Sequence, residues 1–136
     1  LDLQRAGITK NLPHLLCVQA ESSDAITSYW ETGNYHDAEN PVTIADSIKV
    51  KTPALAHWSV KALIETDGKG IRVSDAEIQE AQLELAKYTG VFAEPSSSAT
   101  LAGLKKAMNK RWIKADNDIV LLITGHGLKD PGAVKL

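Results

Sequence analysis

Cysteine is almost missing from this chain. Cys17 stands alone among 136 residues, which excludes an internal disulfide. In its apolar run it reads as a buried free thiol, of the kind found in a reducing, cytoplasmic compartment. An excess of either charge is missing too: 15 basic against 17 acidic residues leave a net charge of −2. That balance gives no basic surface to expect against nucleic acid or an anionic membrane. No apolar run approaches the ~20 residues that span a bilayer, and no signal peptide opens the chain. His14, His36, His57 and His126 lack metal-ligand spacing, and no serine nucleophile elbow, P-loop or zinc signature occurs. There is no internal repeat and no low-complexity stretch. What remains is an ordinary globular composition, 43% hydrophobic and 24% charged, with length enough for one domain and one core.

Methionine is scarce as well. The sequence starts at Leu1 and its only methionine is Met108, so we expect a cloned domain, a processed piece or part of a longer protein.

The chain then offers short apolar runs alternating with helical patterns. Residues 1–6, closed by Gly7, read as the tail of a helix, and 15–18 as a short strand. Ser22, Ser23 and Asp24 offer N-caps for a helix over 25–31, in which Tyr29 and Trp30 pack or sit at a rim. Residues 33–41 are polar and turn-rich, hence loop. The segment 43–50 is ambiguous between strand and helical turn, and Pro53 ends it. A helix over 56–66 follows, with Val60, Leu63 and Ile64 on one face. After a turn at 67–70 comes a strand at 71–73.

Ser74-Asp75-Ala76-Glu77 spells a capping box, Ile78, Ala81 and Leu85 repeat at helical spacing, and Gly90 stands where a C-terminal cap belongs. Residues 91–93 read as a brief strand. Pro95 suits the first turn of a helix reaching about residue 111, with Ala99, Ala102, Gly103 and Ala107 as a small-residue face for close approach to a sheet. This order predicts an α/β fold, helices packed on a mainly parallel sheet.

The segment that organises the rest is 118–131, DIVLLITGHGLKDP. Residues 119–123 are continuously apolar and β-branched or leucine, the pattern of a strand buried on both faces. The run stops at Thr124-Gly125-His126-Gly127, where glycines allow close backbone approach. In open α/β folds ligands sit beyond the carboxyl ends of strands, and Thr124 occupies that position. An ordinary glycine turn after a buried strand fits the same residues.

LLITGHGLKDP (121–131) resembles the C-terminal signature of the threonine synthases, pyridoxal-phosphate (PLP) enzymes of the tryptophan-synthase-β-like fold, fold type II. Four further blocks resemble the family in its order: Val18-Gln19-Ala20-Glu21, Thr43-Ile44-Ala45-Asp46-Ser47-Ile48, Val73-Ser74-Asp75-Ala76-Glu77-Ile78 and Glu94-Pro95-Ser96-Ser97-Ser98-Ala99. The resemblance implies that residues 1–136 form a single segment, the later part of the PLP-binding large domain. It implies that Thr124 hydrogen-bonds the pyridine nitrogen of PLP, a neutral partner where an aspartate would keep the nitrogen protonated. It also implies the reaction, O-phospho-L-homoserine and water giving L-threonine and phosphate. The family's attachment lysine and its glycine- and asparagine-rich phosphate loop have no counterpart here, so no residue of this segment is expected to be catalytic.

Glu94, Pro95 and Ser96 either line the ring, as an EP-S/A motif does in fold-type-II relatives, or cap a helix. His126 touches ligand or bonds turn backbone, and Lys129 reads as a solvent-exposed turn residue. The alternatives are a paralogue such as a cysteate synthase or a threonine/serine dehydratase, or a stand-alone α/β module that binds and catalyses nothing. Dehydratases commonly carry serine in a shorter motif, which TGHGLKDP does not match. An exposed sheet edge leads us to expect self-association of the segment, or a homo-oligomer.

Overall fold

The computed structural model describes residues 2–129 and 132. Its elements run α1 (Asp2–Arg5), β1 (Leu16–Ala20), α2 (Ala25–Thr32), a 3-10 turn at Asp46–Ile48, α3 (Ala56–Glu65), β2 (Lys69–Val73), α4 (Asp75–Thr89), α5 (Pro95–Asn109) and a 3-10 turn at Gly127–Lys129. Strands β1 and β2 pair in parallel, with Leu16 opposite Lys69 and Ala20 opposite Val73. Two parallel neighbours require a crossover, and α2 and α3 supply it.

Helices cover both faces of this sheet, as its alternation of side chains shows. Cys17 and Gly70 are partners and face one way; a Cβ at Gly70 would lie 2.9 Å from Thr27 of α2. Val18 and Ile71 face the other way; a Cβ at Gly103 of α5 would lie 2.4 Å from Val18 Cγ2. The small face expected on α5 is therefore real: Ala99, Ala102, Gly103 and Ala107 are buried, and glycine sets the helix-to-strand distance. The core centres on Ala45, Val73, Ile78, Ala81, Ala99 and Ala102. Burying a side chain such as Ile78 contributes about 1.5–3 kcal/mol.

Local signals decided most boundaries. Ser74 accepts the Glu77 amide while the Glu77 carboxylate accepts from the Ser74 amide. Gly90 closes α4 at φ 73°, a left-handed cap that costs glycine nothing. Burial alone would raise the Glu77 carboxyl, but the Ser74 amide, Lys106 and the Ser74 hydroxyl together hold it below its ordinary range. Asp24 caps α2 without a side-chain bond; its carboxylate instead pairs with Arg72 at 2.6 Å. Ser23, in the turn after β1, ties that turn to residues 48–50, its one hydroxyl proton shared between the Ile48 and Val50 carbonyls while it accepts the Val50 amide. The ambiguous 43–50 segment resolves to the helical alternative, a single 3-10 turn at Asp46–Ile48, with no strand. Cys17 is half-buried on β1, and desolvation pushes its thiol up to about 11.

Three expectations need correcting. Ile64 is exposed while Val60 and Leu63 are buried, because the packed stripe of α3 is narrower than the apolar run suggests. Residues 91–93 form no strand; only Ala93 bridges, antiparallel, to His126. The run 119–123 is not a buried strand either. It joins no ladder among the described residues, and Val120 and Leu122 are 84% and 70% exposed. A cleft of about 610 Å³, lined by Leu16, Val18, Leu104, Trp112, Leu121 and Leu122, lies between this run, β1 and α5. Hydrophobicity marked the run as sheet material, but a strand is buried only when neighbours flank it. Among the described residues, no helix is long and apolar enough to cross a membrane.

Candidate functional site

The site forms where two separated motifs, 92–98 and 124–129, meet. A short antiparallel bridge joins them: the Glu94 amide donates to the Gly125 carbonyl at 3.0 Å, and the Gly127 amide to the Phe92 carbonyl at 2.7 Å. From behind, the buried Gln82 of α4 donates to the Ala93 carbonyl at 2.6 Å. The tight capping and burial of α4 thus fix the backbone just ahead of Glu94.

Ser97, in the first turn of α5 and 1% exposed, clasps the other motif. Its Oγ accepts the Thr124 amide at 2.9 Å and the Gly125 amide at 3.1 Å. It also lies 3.0 Å from Thr124 Oγ1. Thr124 Oγ1 donates in turn to Glu94 Oε1 at 3.2 Å. Glu94 is 6% exposed, and its other oxygen, Oε2, accepts from the Lys129 ammonium at 3.2 Å. A carboxylate this buried needs such partners, because taking a charge out of water without them is costly. The glycines make the approach possible: a Cβ on Gly125 would fall 2.3 Å from Glu94 Cδ, and one on Gly127 2.6 Å from the Phe92 ring.

Thr124, singled out from the sequence, therefore lies exposed at the rim of a buried polar cluster, its hydroxyl bonded to Ser97 and Glu94. Of the two readings of Glu94, the side-chain cap is not made: the residue is the backbone N-cap of α5 but its carboxylate turns to Thr124 and Lys129. Ser96 accepts the Ser47 amide at 3.2 Å, which seats the 3-10 turn against the start of α5. His126 serves its own turn, accepting the Leu128 amide at Nδ1 and standing edge-on to Phe92. Lys129 is solvent-exposed as expected, yet paired.

Sequence reasoning missed Ser97 as the clasp and Lys129 as the partner of Glu94. The signal for Ser97 was its place three residues after Glu94, one helical turn on, where both side chains point the same way. Beside Glu94 opens a cavity of about 450 Å³ edged by Thr43, Ser47, Lys49, Ser96 and Lys129. Asp46, also on its edge, has its carboxyl held below the usual range by a hydrogen bond from Lys49.

The comparisons with known proteins bear on the family. Residues 3–125 match the family model described as pyridoxal-phosphate dependent enzyme. The chain is 37% identical over 134 residues to threonine synthase of Methanocaldococcus jannaschii, covering 97% of this chain and 33% of that protein. It is 38% identical over 130 residues to threonine synthase of Methanosarcina acetivorans, covering 94% and 32%. It thus spans about a third of the length of these curated relatives. Among solved structures, a fungal L-serine ammonia-lyase from Rhizomucor miehei aligns with a TM-score of 0.73 at 24% identity, over 91% of this chain and 39% of that one; this likeness speaks for the fold. A match to the family model over residues 3–125, nearly the whole chain, places this protein in the family of pyridoxal-phosphate dependent enzymes.

Proposed function

We propose that this chain is the later part of the large domain of a threonine synthase, which converts O-phospho-L-homoserine and water to L-threonine and phosphate. The choice of reaction rests on identities of 37% and 38% to threonine synthases across nearly all of the chain. The observation that carries the site is the Thr124 hydroxyl, held beside the buried Ser97 and Glu94. On this reading the exposed run 119–123 and the open edge of the sheet pack against strands from the rest of the enzyme, where cofactor attachment and most phosphate contacts reside.

The residues fit the cofactor. Thr124 is an exposed residue while both of its hydroxyl's partners, Ser97 and Glu94, are buried, which leaves it the neutral hydroxyl of the cluster at hand for an incoming ring. The glycine after it leaves room for the Glu94 carboxylate to reach that hydroxyl. When bound, pyridoxal phosphate supplies the electron sink, and the protein supplies orientation and tuning. Thr124 would hold the pyridine nitrogen. As a neutral donor it suits an unprotonated nitrogen, so the ring stays the milder sink. Ser97 fixes the backbone that carries Thr124. Glu94, paired with Lys129, keeps the floor of the site polar without placing a carboxylate against the ring nitrogen.

The second reading is a serine or threonine ammonia-lyase, favoured by the fold likeness at a TM-score of 0.73. One assay separates the two. The complete enzyme, incubated with O-phospho-L-homoserine, is expected to release inorganic phosphate and L-threonine in equal amounts. Release of ammonia and a 2-oxo acid from L-serine or L-threonine, with no turnover of O-phospho-L-homoserine, would replace the proposal with the second reading.

A further inference from the structure

We infer that Ser97 is a positioning residue that sets the direction of the Thr124 hydroxyl proton. The inference rests on the proposed role of Thr124 and deepens it. A serine hydroxyl has one proton to donate and two lone pairs to accept with. Both lone pairs of Ser97 Oγ are taken, by the Thr124 amide at 2.9 Å and the Gly125 amide at 3.1 Å. Thr124 Oγ1, at 3.0 Å, is the remaining partner. With its accepting capacity filled and the residue 1% exposed, Ser97 can only donate to it. The same bond read in the opposite sense would ask Ser97 Oγ to accept three protons at once.

The consequence falls on Thr124. One of its lone pairs is engaged by Ser97, and its own proton must point elsewhere. Here it points to Glu94 Oε1 at 3.2 Å, longer than the usual 2.5–3.0 Å for a hydroxyl donor and therefore readily given up. That is the proton a pyridine nitrogen would receive. Ser97 thus leaves Thr124 a donor before any ring arrives: its proton rests on Glu94 Oε1 and can turn to the ring nitrogen. A hydroxyl free to rotate would present a lone pair to the ring nitrogen part of the time and repel it. A chain of bonds running from Ser97 to Thr124 also polarises the terminal donor.

A set of four complete enzymes tests this: wild type, Thr124→Val, Ser97→Ala and the double variant. The readouts are cofactor affinity by equilibrium dialysis, the absorption spectrum of the bound cofactor against pH, and melting of the cofactor-free protein. Ser97→Ala should weaken cofactor binding about three- to ten-fold, the range of one or two neutral hydrogen bonds, and shift the pH midpoint of the spectrum. In the Thr124→Val background it should do neither, while lowering the melting temperature similarly in both backgrounds, since the backbone amides lose their acceptor either way.

Equal loss of affinity in both backgrounds would make Ser97 a structural clasp only and overturn the proposal, as would no loss in the wild-type background. If Thr124→Val alone leaves affinity and spectrum untouched, the assignment of Thr124 fails instead, which is a distinct result. Ser97→Cys, a weaker donor and acceptor of similar volume, should give an intermediate loss and serves if Ser97→Ala does not fold.

Discussion

Replacing Gly125 by alanine probes how closely the two motifs meet. The added Cβ would lie 2.3 Å from Glu94 Cδ and 2.5 Å from each carboxylate oxygen. Comfortable carbon contacts begin near 3.5 Å, so the carboxylate must withdraw by roughly 1 Å. It has little room, being buried and tethered at 3.2 Å to both Thr124 and Lys129. Hydrogen bonds to a charged group are worth about 1.5–3 kcal/mol, and alanine returns about 0.4–1 kcal/mol by stiffening the unfolded chain, so the net loss should be about 1–2 kcal/mol. In a Glu94→Ala background the obstruction is gone, and Gly125→Ala should be neutral or slightly stabilising. The assay is urea denaturation of the cofactor-free complete enzyme, followed by circular dichroism and read as a double-mutant cycle. An equal cost in both backgrounds, or no cost with Glu94 present, would refute the packing argument.

Other consequences are as direct. Gly103→Ala should destabilise by about 1–3 kcal/mol, offset in part by better helix propensity, because its Cβ meets Val18 at 2.4 Å; Val18→Ala should relieve it in the same denaturation assay. Glu77 is ionised in the folded protein at pH values where an unfolded glutamate protonates. Its contribution is therefore present above the ordinary glutamate value of about 4.3 and lost as pH falls through the lowered folded value. Glu77→Gln should flatten that acid limb of the stability profile. The isolated chain, with Ile119, Val120, Leu122 and Ile123 exposed and a two-stranded sheet among the described residues, should self-associate in light scattering; a monodisperse monomer that melts cooperatively would count against the proposed partners.

The sequence spoke clearly where signals were local. The Ser74 capping box, Gly90, Pro95 and the small face of α5 were all readable, because each is decided within a few residues or by one helix face. Residues 119–123 were misjudged for a physical reason: apolar character says that a segment prefers burial, not which strands bury it. Ile64 failed similarly, since the buried stripe of α3 runs along Ala56, Val60 and Leu63. Thr124 and Glu94 could be picked out as candidates, but their meeting depended on the Ala93–His126 bridge, a pairing between residues 33 positions apart that no local pattern encodes. Ser97 was invisible as a clasp until that bridge placed two amides over it.

The most direct test of the account is the cofactor affinity of the complete enzyme carrying Thr124→Val, a nearly isosteric change that removes only the hydroxyl, measured together with the bound-cofactor spectrum. If Thr124 holds the ring nitrogen, the variant folds, its spectrum shifts, and its dissociation constant rises about two- to twelve-fold, as one neutral hydrogen bond allows. Wild-type affinity with an unchanged spectrum would mean that Thr124 only braces Ser97 and Glu94, and the proposed site would be wrong.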